Sequence, residues 1–206
     1  MKVKFLKPND PRLREIAEEI PPDQINSAPT KEIIKTMFSV AYGEQKDKNK
    51  PIMVGLAAPQ IGISKRIILV DVKANGKGKV GDLRVYINPR ITWKSKRLGE
   101  WYEGCYSTGR ICGIVSRPTS IKIQAFILTP QGGSLKFVEE KRSGYTARIF
   151  QHEIDHLDGK IFIDRIKNPD KLHWVEEKDF PLYRNREAWR TWTKKYPPKN
   201  PCKLIL

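Results

Sequence analysis

The stretch Gln151-His152-Glu153-Ile154-Asp155-His156-Leu157-Asp158 sets two imidazoles four residues apart with a carboxylate between them. On a helix, positions i and i+4 lie one above the other on a single face. His152 and His156 can therefore grip one metal ion, while Glu153, about 100° round the helix, reaches a water beside it. The chain holds 3 histidines, and two of them are here. Such a pair with a glutamate indicates a metal hydrolase. A catalytic metal needs three protein ligands and one position left for water.

The third ligand decides which hydrolase. In one zinc peptidase pattern it is a further histidine beyond a glycine. Gly159 fits that pattern, but the ligand position holds Phe162, whose ring cannot coordinate. In another pattern it is a downstream glutamate, which keeps Glu176 and Glu177 open as ligands of a zinc endopeptidase. Their Lys- and Asp-rich surroundings read more simply as a solvated face. The remaining candidate is Cys105, in Glu103-Gly104-Cys105-Tyr106-Ser107. A glycine before it lets the backbone approach a site, and Glu103 can brace a ligand from behind. A thiolate with two imidazoles suits Zn, Co, Ni or Fe. Cys112 reads as a small buried apolar residue and Cys202 as an exposed tail thiol.

The elements that must position these residues come next. At 206 residues, with 39% apolar and 30% charged side chains, the chain is long enough for one domain with a real core. No apolar run approaches the roughly 18 residues of a membrane span. The first residues lack a secretory signal, and 3 scattered cysteines suit a reducing compartment. The expected location is the cytoplasm of a bacterium or, failing that, an organellar matrix. The formal charge of +16, from 39 basic and 23 acidic residues, raises the odds of a polyanionic neighbour such as RNA.

Asp10 can cap a helix from Pro11, with Leu13, Ile16, Ala17 and Ile20 at helical spacing until Pro21-Pro22 stops it. A second helix from about Thr30 carries Ile33, Ile34, Met37, Phe38 and Ala41 on one stripe. A polar loop follows at 46–51. Strand patterns occur at 66–72, 83–91, 120–128, 135–139 and, briefly, 161–163. Gly144 opens and Gly159 closes the helix carrying the histidines, whose Ala147, Ile149 and Phe150 mark it as buried. The order of helices, strands and helix predicts an α+β fold in a single domain. From residue 183 to 206 the composition turns basic, with Arg184, Arg186, Arg190, Lys194, Lys195, Lys199 and Lys203 around Trp189, Trp192 and Tyr196. This suggests a helical tail, separate from the body at 1–182, that is offered to a partner.

Gly55-Leu56-Ala57-Ala58-Pro59-Gln60, Glu103-Gly104-Cys105-Tyr106-Ser107 and Gln151-His152-Glu153-Ile154-Asp155-His156 occur in this order. Together they resemble the three signature motifs of peptide deformylase. The resemblance takes in residues 8–13, Arg117-Pro118 and 159–165 as well, about residues 1–166 in all. It implies antiparallel sheets around the helix bearing the histidines, and a catalytic domain over 1–182. It implies Cys105, His152 and His156 as ligands of one divalent ion, ferrous in the cell and replaceable by Zn, Ni or Co. Glu153 would be the general base, with Gln60 and the Tyr106 N–H stabilising the oxyanion. Val54, Gly55, Glu103, Tyr145 and Ile149 would line a pocket for the formyl-methionine of nascent peptides. Some relatives meet ribosomal RNA through a C-terminal helix, which the basic tail at 183–206 would suit. Met53 stands where the family usually has glycine, Tyr106 where it has an aliphatic residue, and Thr108-Gly109-Arg110 lacks a usual proline. The intact Glu153 argues against a catalytically dead RNA-binding relative.

Overall fold

The computed structural model describes residues 4–8, 10–45, 53–76, 82–128 and 135–193. Residues 46–51, Cys202 and the tail from Lys194 onward therefore lie outside the described residues.

Strand β2 (Ile67–Asp71) is buried at every position. Because side chains alternate across a strand, it feeds two cores at once. Ile68 and Val70 enter a cluster with Ala147, Ile149, Phe150 and Ile154 of helix α2 (Gly144–Leu157). Ile67 and Leu69 enter another with Ile34, Met37 and Ala41 of helix α1 (Ala28–Gln45). Helices thus cover both faces of the sheet around this strand. Burying each such side chain contributes about 1.5–3 kcal/mol.

Strand β2 lies between β1 (Gly55–Ala57) and β3 (Leu83–Lys94). Strands β6 (Ser120–Leu128) and β7 (Leu135–Ser143) complete a five-stranded antiparallel sheet of order β1-β2-β3-β6-β7. A second sheet sets β4 (Leu98–Gly104) and β8 (Leu172–Trp174) on either side of β5 (Ile111–Pro118). The fold is α+β, with antiparallel sheets around α2, as expected.

Two local expectations are corrected. The N-terminal helix is a single 3-10 turn, Pro11–Arg14. Asp10 does cap it, accepting the Arg12 N–H at 3.1 Å. Beyond it the chain runs extended along the end of α2, with the Ala17 N–H donating to the Leu157 carbonyl at 2.9 Å. The apolar spacing that suggested a helix leaves Ile16 74% exposed while Leu13, Ala17 and Ile20 are buried. The short strand at 161–163 is instead part of a 3-10 turn, Phe162–Arg165, in which Asp164 accepts the Ile161 N–H at 2.9 Å.

The C-terminal region forms two short helices, α3 (Phe180–Tyr183) and α4 (Arg186–Arg190). Tyr183, Trp189 and Trp192 are buried against Cys112, Trp101 and Tyr102. The tryptophans expected to face a partner are turned into the body. Burying two indoles outweighs displaying them, and each indole N–H finds a carbonyl, Trp189 on Tyr183 at 2.6 Å and Trp192 on Trp174 at 3.1 Å.

Candidate metal centre

Helix α2 begins at Gly144, whose φ of 61° suits glycine, and ends before Gly159, with φ 66°. A Cβ at Gly159 would stand 2.3 Å from the Arg14 carbonyl oxygen, so glycine lets the N-terminal segment close over the helix end. Along the helix, the His152 and His156 rings lie 5.1 Å apart between centroids, one turn from each other. Strand β4 delivers Cys105 to the same spot, immediately ahead of a 3-10 turn at Tyr106–Thr108. Cys105 Sγ stands 3.3 Å from His156 Nε2, and the ligand atoms of Cys105, His152 and His156 all lie within 4.8 Å of one another. Among the described residues no other group of His, Cys, Asp and Glu converges in this way.

A buried charged web braces His152 and the elements that carry Cys105 and His156. Glu103 Oε2 meets His152 Nδ1 at 2.9 Å, which leaves Nε2 for the centre. Arg117, 1% exposed, donates to both Glu103 oxygens, Nε to Oε1 at 2.6 Å and Nη2 to Oε2 at 2.8 Å. Its Nη1 reaches Asp155 Oδ2 at 2.8 Å, linking the second sheet to α2. Arg148 adds a bond from Nη1 to Glu103 Oε1 at 2.6 Å and another from Nη2 to the Gly99 carbonyl at 2.7 Å. Burial would push the Glu103 carboxyl up, but the Arg117 charge and its hydrogen bonds hold it well below the usual range. Burial likewise opposes ionisation of Cys105, yet His156 and then His152 draw the thiol far below its ordinary value. Thiolate is the form that ligates metal.

Glu153 is 4% exposed, and its Oε2 has no hydrogen-bond partner among the described residues. Burial raises its carboxyl to about 7, against the opposing pull of His152 and His156. Gln60 is buried with its amide fixed: Oε1 accepts the Ala57 N–H at 2.7 Å, and Nε2 points at Cys105 Sγ, 3.1 Å away. The Tyr106 ring stacks on Phe5, with centroids 4.6 Å apart. A soft thiolate, two imidazoles and an unpartnered buried carboxylate beside them fit a divalent cation and its water.

Val54, Gly55, Tyr145 and Ile149 line a cleft of about 530 Å³ together with Cys105, Gln60, Tyr106, His152 and Glu153. Glu103 also borders it, but its carboxylate is engaged by Arg117, Arg148 and His152. Neither alternative glutamate joins the ligand cluster. Glu176 pairs with Arg110 at 2.7 Å and accepts the Trp174 indole N–H at 2.8 Å, and Glu177 is exposed at the rim of the cleft. Phe162, at the position of a peptidase ligand, stacks on the His152 ring at 6.1 Å. Sequence reasoning missed Arg148, Asp155 and the cleft residues Tyr102, Phe180 and Arg184. An arginine four residues before His152, on a buried helix, was the one available signal for the web.

The family model described as polypeptide deformylase matches residues 2–172. Peptide deformylase of Pelotomaculum thermopropionicum is 41% identical over 169 residues, covering 82% of this chain and 94% of that protein. Chloroplastic peptide deformylase 1A of Solanum lycopersicum is 34% identical over 191 residues, 86% of this chain, which spans 64% of that protein's length. Among solved structures, the Met-Ala-Ser-bound peptide deformylase of Acinetobacter baumannii superposes with a TM-score of 0.66 at 32% identity, covering 81% of this chain and 99% of that one. The Thermotoga maritima enzyme gives 0.65 at 33% identity, covering 82% and 99%. With its three motifs folded around one Cys/His/His cluster, the chain belongs to the peptide deformylase family of metal-dependent hydrolases.

Proposed function

We propose that Cys105, His152 and His156 hold one divalent ion, and that around it the protein removes the formyl group from N-terminal formyl-methionine of nascent polypeptides, releasing formate. The observation that carries this reading is the convergence of those ligands beside a buried, unpartnered Glu153 oxygen. When bound, the ion supplies Lewis acidity, polarising the formyl carbonyl and lowering the pKa of water toward about 7. Glu153 takes a proton from the attacking water and returns it to the departing amine nitrogen. The Gln60 amide and the Tyr106 N–H stabilise the oxyanion, and losing one such donor costs about 3 kcal/mol of transition-state stabilisation.

Strand β1 is an edge of its sheet, so the substrate backbone pairs along Val54 and Gly55 as an added strand. Tyr145, Ile149 and Val54 receive the methionine side chain. The thiolate–imidazole set accepts Fe, Zn, Ni or Co, and the family resemblance favours ferrous iron as the resident ion. Relatives named for bacteria and for a chloroplast support action in the bacterial cytoplasm or, secondarily, an organelle.

Anaerobically loaded ferrous protein is expected to release formate from formyl-Met-Ala-Ser. Glu153→Gln is expected to keep its metal and to lose a factor on the order of 10²–10⁴ in rate. Full activity in that variant, or no formate from the parent protein, contradicts the reading.

The charge of +16 further supports contact with ribosomal RNA through the C-terminal segment. Because Trp189 and Trp192 are buried, the contact rests on charge, with Arg186 and Arg190 exposed. Replacing both with glutamate is expected to reduce ribosome co-sedimentation at low salt without removing the aromatic core. Equal pelleting across a salt series rules the contact out.

A further inference from the structure

The segment beyond the family match, which ends at residue 172, supplies part of the wall of the active-site cleft. Phe180 lies at the start of α3, and Arg184 immediately follows that helix. Both border the cleft that also contains Val54, Gly55 and Glu153. Their position is set from beneath. The Tyr183 side chain is fully buried, its hydroxyl meets His173 Nδ1 at 2.8 Å, and its ring packs edge-on against Tyr102 at 5.6 Å and Trp192 at 4.9 Å. A backbone anchored in this way fixes where the next residue projects.

The cations around the cleft are not equivalent. Arg148 is matched by Glu103 at 2.6 Å and Arg110 by Glu176 at 2.7 Å. Arg184 forms no ion pair among the described residues. It is half-buried, it shares a side-chain hydrogen bond with the Tyr102 phenol, and its charge opposes the burial-driven rise in the pKa of both Tyr102 and Tyr145. Glu177, the nearest acid in sequence on the same wall, is solvent-exposed and so strongly screened. A guanidinium positioned on the wall of a peptide site, with no acidic partner among the described residues, has a natural complement in a carboxylate, which its planar fork can bind in two places.

We propose that Arg184 is a specificity-determining residue that receives a substrate carboxylate, either an acidic side chain close behind the formyl-methionine or the free C-terminus of a short formyl peptide. The inference rests on the deformylase reading and extends it to the residues that follow methionine. It also gives the C-terminal segment a function in substrate choice that is separate from any contact with RNA.

The test compares kcat/KM of ferrous-loaded, full-length protein on four peptides at low ionic strength. These are neutral formyl-Met-Ala-Ser-amide, formyl-Met-Asp-Ser-amide, formyl-Met-Ala-Asp-amide, and formyl-Met-Ala-Ser with a free C-terminus. At least one carboxylate-bearing peptide is expected to be favoured over the neutral one by on the order of fivefold, expressed mainly in KM and eroded by salt. Which peptide is favoured tells side chain from chain end. Arg184→Gln should bring the ratio close to unity, and Arg184→Lys should retain part of it. Parent protein that treats all four alike, or a preference that survives Arg184→Gln, overturns the proposal. The first of these needs no variant to fold. Absence of formate from the neutral peptide would remove the deformylase reading itself, and this proposal with it.

Discussion

Gly55 shows how much the centre depends on a single missing methyl group. A Cβ there would lie 2.3 Å from Glu153 Oε1 and 2.9 Å from Ile149 Cγ2. Both neighbours are buried on α2 and border the cleft, and the carboxyl end of Glu153 is the part that must yield. Gly55→Ala is therefore expected to displace the carboxylate, lower formate release at least tenfold and cost about 1–3 kcal/mol by overpacking. Steady-state kinetics together with urea denaturation check this, and a variant with unchanged turnover contradicts the proposed placement of Glu153. The donors themselves are legible in the sequence, since His152, Glu153 and His156 form one local pattern and Cys105 stands in its own short motif. What the sequence does not show is contact at long range. Arg117 meets Glu103 across 14 residues and Asp155 across 38, so nothing local signals that it sits beneath the centre.

At the scale of elements, the central arrangement is a strand and a helix held at a fixed distance. Strand β4 carries Cys105, helix α2 carries the histidines, and Arg117 on β5 bonds both Glu103 of β4 and Asp155 of α2. Arg117→Met removes the cation and leaves two buried carboxylates short of a partner. The expected loss is about 3–5 kcal/mol in the metal-free protein, measured by urea denaturation, with weakened metal retention as a consequence. A loss under about 1 kcal/mol would show that the web does not hold strand to helix. Helix α2 is legible to the residue because glycines bound it and its apolar stripe is regular. The segment after Pro11 is not, since its apolar spacing serves an extended chain hydrogen-bonded to the end of α2. Strands β4 and β5 also escape detection, because the residues between 101 and 118 mix glycines with aromatic and charged side chains.

For the molecule as a whole, the α+β architecture is readable from the order of its elements, but the C-terminal segment is not. Its aromatic and basic residues look alike in composition, and only packing separates them: Trp189 and Trp192 face the body, while Arg186 and Arg190 face solvent. Trp189→Ala is expected to cost about 3–5 kcal/mol, read from the denaturant midpoint, because it empties the middle of the cluster formed with Trp101 and Tyr102. A neutral result would mean that the segment is only loosely attached. The proposed site depends on one sulfur and two nitrogens sharing a cation. X-ray absorption of protein loaded with a single equivalent of zinc tests this most directly. The expected spectrum has one sulfur scatterer at about 2.3 Å and two imidazoles, with the sulfur lost in Cys105→Asp. A parent spectrum with only nitrogen and oxygen around the metal would contradict the account.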